Sequence, residues 1–200
     1  MAVHCGAGEL ELIRENYGAA RDAFEKAIEV ADDIGHAQGR DEARLGLALG
    51  SLLANDLASA RRLIEAAGQY HHPLREMDTS VLLGVVSYRQ GDGGVSKQAF
   101  TAAINQADAL LALTPERYAA LDAKAIALCG LVLCGEAKQV IAAEASFRAA
   151  RAITSAAGVV HAVLQLFGAL ALGDDSHLIA NIRPAAAEAS SEGPKVVDKI

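Results

Sequence analysis

In a chain of 200 residues, 52% are hydrophobic but only 4% aromatic, Ala and Leu dominate and Trp is absent, so core material is ample while strand-forming residues are few. With only four prolines, this composition points to an all-helical protein. A net charge of −7 argues against a nucleic-acid partner, which would call for a basic stripe, and no Lys/Arg-rich run marks a helix lying on a membrane surface.

Periodicity places helices at 3–15, 18–34, 39–53, 57–69, 75–90, 95–112, 115–134, 138–157, 158–172 and 177–189. They form one array over 1–189, about five antiparallel pairs, with a polar, frayed tail over 190–200. The opening MAVHCGAGEL lacks the basic and apolar regions of a signal peptide. Cys5, Cys129 and Cys134 make an odd set that reads as free thiols, and a cytoplasmic setting is expected.

In the second segment, YGAARDAFEKAIEVADDIG sets Ala20, Phe24 and Ala27 on one helical face. The pattern returns as Ala60/Ile64/Ala67, Ser96/Phe100/Ala103 and Ala143/Phe147/Ala150, with steps of 40, 36 and 47 between the large residues. Periods of this size mark stacked helical units. Small side chains let a neighbouring helix approach, and the large one fills the hole left between them. Each marked helix has a partner upstream: RDEARLGLALGSLLAND, then DTSVLLGVVSYRQGD with Gly84 at a close crossing, then TPERYAALDAKAIALCGLVLCG. In the last of these, Thr114 suits an N-cap and Pro115 the first helical position. Asn55-Asp56 and Gly91-Asp92-Gly93-Gly94 read as tight turns, and Tyr70-His71-His72-Pro73 as a break between pairs. The apolar segment 156–173 is barely long enough to span a bilayer and is interrupted by His161 and Gln165, so it reads as an interior helix.

Leu83-Gly84 in a first helix, the turn residues Asn55 and Gly91, and the small-large-small triplets of the second helices resemble the tetratricopeptide repeat (TPR) family over roughly the first 170 residues. The resemblance implies a TPR-like α-solenoid, a right-handed superhelix of antiparallel helix pairs with about ten helices. The chain departs from that family in its longer repeats, in lacking the first-helix Trp, and in carrying the Pro after the second helix only as Pro73 and Pro115. Long Ala/Leu-rich repeats are similar to the C-terminal arrays of bacterial STAND-class signal-transduction NTPases. That likeness implies a module that senses an inducer or partner and helps control oligomerisation. The chain shows no P-loop of its own, since GDGGVSK lacks a Gly immediately before Lys97.

First helices of such pairs line the concave wall. This turns Glu42, Leu45, Leu49 and Leu52 inward from the second pair, Asp78, Val81, Val85, Tyr88 and Arg89 from the third, and Ala125, Leu128 and Val132 from the fourth. One reading is an apolar groove with a polar edge at Tyr88/Arg89, suited to an amphipathic or extended peptide. The other is a tightly curled array whose leucines pack on each other, with Tyr88 and Arg89 at the surface. No Lys or Asn stands at these positions to hold a C-terminal carboxylate. His71-His72 reads as loop imidazoles, because adjacent residues rarely converge on one ion. Cys129 and Cys134 do not share a helical face and read as small core residues. His161 reads as a core histidine bonded to a carbonyl, or else as lining a pocket. Glu9, Glu11 and Glu15 read as a solvated acidic patch.

Nothing resembles a nucleophile elbow, an HExxH helix or a dinucleotide loop, so no enzyme, cofactor or metal is expected. The expected role is a non-enzymatic protein-protein interaction scaffold, a regulatory module of a larger signalling NTPase that binds a partner or peptide in its concave groove. The alternative is a small-molecule-sensing helical repeat domain. Self-association is also expected, because terminal repeats need polar caps or contacts.

Overall fold

A computed structural model describes residues 2–67 and 72–188. Among them are ten α-helices and two short 3-10 turns. They are α1 (Ala2–Ile13), α2 (Tyr17–Asp33), α3 (Ala37–Leu53), α4 (Leu57–Ala66), α5 (Pro73–Arg89), α6 (Gly93–Leu113), α7 (Tyr118–Leu133), α8 (Val140–Ile153), α9 (Ala157–Ala171) and α10 (Arg183–Ala187). Each helix from α1 to α8 packs on the next, and α1, α3, α5 and α7 also pack on one another in sequence. The architecture is that of an α-solenoid, with α1, α3, α5 and α7 forming an inner layer and α2, α4, α6 and α8 an outer one.

Four of the connections are built alike. A residue with positive φ, then a polar cap, ends one helix and starts the next at Glu15-Asn16, Gly35-His36, Asn55-Asp56 and Gly91-Asp92. The caps Asn16, His36, Asp56 and Asp92 accept from the backbone N–H of Ala19, Gly39, Ser59 and Val95, satisfying donors a first helical turn leaves free.

The small-large-small signature lies wholly inside. All twelve of its residues are buried, from Ala20, Phe24 and Ala27 to Ala143, Phe147 and Ala150. Two of the rings sit between glycines. Phe24 of α2 lies against Gly8 of α1 and Gly46 of α3, and Phe100 of α6 lies against Gly84 of α5 and Gly130 of α7. A Cβ at Gly8 would come within 2.7 Å of the Phe24 ring. The glycines therefore let one ring bridge two successive inner helices. Ser96 fits at an alanine position because its hydroxyl donates to Gly84 O at 3.0 Å. Phe147 meets Phe167 of α9 edge-on, with ring centroids 6.2 Å apart.

Several boundaries differ from the periodic reading. Thr114 closes α6, its N–H donating to Leu110 O, instead of capping α7. Thr114 to Arg117 then form a turn through Pro115, and α7 begins only at Tyr118. The segment 138–157 is a 3-10 turn followed by α8, ended by extended Thr154. The expected helix 177–189 is a 3-10 turn and the five-residue α10, positioned by Asp174. Both Asp174 carboxylate oxygens accept backbone N–H groups, from Leu178 at 2.9 Å and Ile179 at 3.0 Å, and seat Ile179 and Ile182 in the core. The break at Tyr70-His71 and the tail 190–200 lie outside the described residues. Among the described residues, no helix is long and apolar enough to cross a membrane.

The largest departure is α9. It does not extend the stack as a further inner helix. It packs on α1, α3, α5 and α7 together, and α10 packs against both α8 and α9. The interior placement expected of this apolar segment is met only in part: α9 packs on the inner layer through buried Phe167, Ala169 and Leu170, while Ala157, Gly158, Ala162 and Gly168 are exposed.

Candidate functional site

Three polar contacts hold α9 in place. Gln165 Nε2 donates to Leu12 O, at the end of α1, at 2.9 Å across 153 residues of sequence. Arg89 Nη1 donates to Ala169 O at 2.9 Å, and Tyr88 OH to Gly173 O at 3.0 Å. The last two satisfy carbonyls that the C-terminal turn of α9 would otherwise leave free. Arg89 also donates to Asn55 Oδ1, at the α3–α4 turn, at 2.6 Å. Tyr88 and Arg89, expected at the edge of an open groove, are therefore committed to the chain's own helix.

Between α9 and the inner layer lies a cavity of about 400 Å³. This is within the range of small-molecule sites. Its deeper wall is apolar: Leu45 and Leu49 of α3, Val81 of α5, Ile126 of α7, and Val163 and Leu166 of α9. Its charges come from the N-terminal halves of the inner helices: Glu42 of α3, Arg75 and Asp78 of α5, and Asp122 of α7, with Tyr118 beside them and Glu9 from α1. Exposure varies around it. The side chains of Glu42 and Asp78 are 32% and 44% exposed and Leu49, Val163 and Leu166 are half-buried, whereas Asp122, Leu45, Val81 and Ile126 are at most 5%.

The charged zone is partly paired. Arg75 forms a close ion pair with Glu42 and stands 3.8 Å from Asp78. Burial nevertheless pushes Asp78 up to about 6, outweighing the pull of Arg75. Asp122 pairs through Oδ2 with Arg151 of α8, whose side chain is fully buried behind the wall. Arg151 also reaches Ala186 O of α10 at 3.5 Å. Burial pushes Asp122 up to about 6 against the pull of Arg151, and its Oδ1 is enclosed without a hydrogen-bond partner among the described residues. Such an atom costs free energy unless something supplies a donor.

Of the inward-facing residues read from the sequence, Glu42, Leu45, Leu49, Asp78 and Val81 line this cavity. Leu52, Val85, Ala125, Leu128 and Val132 are packed into the core instead. Glu9 is exposed, as expected, and also borders the cavity. His161 is half-buried on α9, and its enclosed Nε2 makes no hydrogen bond among the described residues, so the expected carbonyl partner is not found. Cys129 is buried, and the apolar surroundings push its thiol up; Cys134 is half-buried. His71 lies outside the described residues, and no group of three His, Cys, Asp or Glu among those described is placed to hold a metal ion.

Sequence reading missed Arg75 and Tyr118, which fall in the first turns of their helices, and Asp122, which stands one turn ahead of the inward Ala125. It also could not place the α9 residues in the wall, since that depends on where α9 is folded. Comparison of the chain with family models, with curated proteins and with solved structures finds no match in any of the three.

Proposed function

We propose that this protein is a non-enzymatic ligand-sensing helical repeat domain, with a small organic molecule held between the inner helices and α9. The observation that carries this reading is the ≈ 400 Å³ cavity, apolar in depth and charged on one side, where α1, α3, α5, α7 and α9 come together. A ligand there touches α1, α3, α5, α7 and α9 at once, so binding alters how firmly α9 is held against the array. In the setting implied by the resemblance to signalling NTPase arrays, that is the step a sensor module contributes.

A thermal-shift screen of small organic molecules, run beside a peptide pull-down, tests it. A stabilising compound whose effect is abolished in Ala162→Trp, where an indole fills the α9 side of the cavity, is the expected result. A protein partner bound in the groove is the second reading, favoured by the fact that the inner face already accepts a helix, α9. Enrichment of one partner that competes with α9, with no compound stabilising the chain, would replace the first reading by the second.

A further inference from the structure

The polar side of the cavity is unevenly charged. Four carboxylates line it, those of Glu9, Glu42, Asp78 and Asp122, against the single guanidinium of Arg75. Arg75 is taken by Glu42. Arg151 neutralises Asp122 from behind but reaches only Oδ2, leaving Oδ1 enclosed and without a donor. Asp78 has its nearest cation at 3.8 Å, too far for a hydrogen bond. Glu9 carries no ion pair among the described residues. One enclosed acidic oxygen, Asp122 Oδ1, thus lacks a hydrogen-bond donor, partly exposed Asp78 has no cation within hydrogen-bond reach, and the cation already present is committed elsewhere. An anionic ligand would have to break the Arg75–Glu42 pair and then sit beside three more carboxylates. A neutral one would leave Asp78 and Asp122 as they are. A cation supplies a counter-charge to both, and the aromatic Tyr118 lines the same cavity. The apolar depth, from Leu45 to Leu166, requires that the rest of the molecule be hydrocarbon.

We infer that the cavity takes an amphiphilic organic cation, an amine or quaternary ammonium with a hydrocarbon body, its charge between Asp78 and Asp122 and its body along α3 and α9. The inference rests on the ligand-sensing reading above and names the class of molecule sensed. The positive nature of the head follows from the excess of carboxylates over the one guanidinium in the lining and from the unpartnered Asp122 Oδ1, and the hydrocarbon body from the Leu45, Leu49, Val163 and Leu166 wall. Raised carboxyls at both positions accord with it, because desolvation there outweighs the pull of Arg75 and Arg151.

Three probes of one chain length separate the possibilities: octyltrimethylammonium, octan-1-ol and octanoate, titrated by calorimetry below micellar concentrations. The cation is expected to bind about tenfold or more tighter than the alcohol, as charge-assisted contacts require, with octanoate weakest. Asp78→Asn should remove most of that preference and leave octan-1-ol binding unchanged. Circular dichroism checks that this variant is folded, and the preference of the parent protein stands as evidence without it. Equal binding of all three probes would overturn the inference while leaving the cavity a binding site. Octanoate binding tightest would overturn it in favour of Arg75 as the anchor. No binding of any probe would overturn it together with the ligand-sensing reading.

Discussion

Phe24 and Phe100 each lie between two glycines drawn from different inner helices, so their contribution is set by close approach on both faces of the ring. Phe24→Ala should cost about 3–5 kcal/mol, read as a fall in denaturant midpoint at unchanged slope. The converse change, Gly46→Ala, leaves the ring in place and pushes a methyl into it, at a cost of about 1–3 kcal/mol. If Gly46→Ala unfolds like the parent, the ring is not where it is described. The carboxyls give a second test at this scale. Asp78 faces Arg75 on its own helix, Glu42 of α3, Tyr118 and Asp122 of α7 and Glu9 of α1, while Asp122 also faces Arg151 of α8. Both are raised from 3.8 to about 6, chiefly by burial. A raised carboxyl stabilises the fold fully only below its unfolded value and loses that contribution as pH climbs through the folded one. The melting temperature should therefore fall between about pH 4 and pH 7, and the fall should shrink in Asp78→Asn. A melting temperature that rises steadily over that window would contradict the environment described for these two groups.

Helices were the most legible level of this sequence, and the reasons are visible in individual residues. The buried faces of α2, α4, α6 and α8 repeat a small-large-small triplet that only helical periodicity explains, and every member of it is buried. Turns were legible where Gly or Asn-Asp marked them. Glu15-Asn16 was not singled out because a glutamate in the left-handed region carries no strong turn signal, and Gly35-His36 was not because a lone Gly followed by a capping histidine is a weaker mark than Asn55-Asp56 or the Gly91–Gly94 run. The Asp92 cap is testable alone: Asp92→Ala should cost about 1 kcal/mol. Of the cavity, the α3 and α5 lining was legible from register. The α9 wall was not, because an apolar helix looks alike whether it stacks at the end of an array or lies within it. What decides between the two is a set of partners, Leu12, Tyr88 and Arg89, distant in sequence and unremarkable locally. Arg89→Ala removes one of them and frees Ala169 O, so amides of α9 should exchange with deuterium faster while those of α6 hold steady. Equal exchange in parent and variant would mean that Arg89 does not hold α9.

At the scale of the molecule, a run of helix pairs ordinarily touches only its neighbours, and each unit can open without disturbing distant ones. Gln165 reaching Leu12 cancels that independence, for it makes the ninth helix a neighbour of the first. The array is closed into a loop of mutual dependence, so neither end can fray alone without undoing the other. Melting should then be one all-or-none event seen identically by probes at both termini, slow to form because its decisive contacts join remote parts of the chain. A Gln165→Ala protein that begins to melt in stages, α1 first, would display the one-dimensional behaviour that this single amide otherwise suppresses.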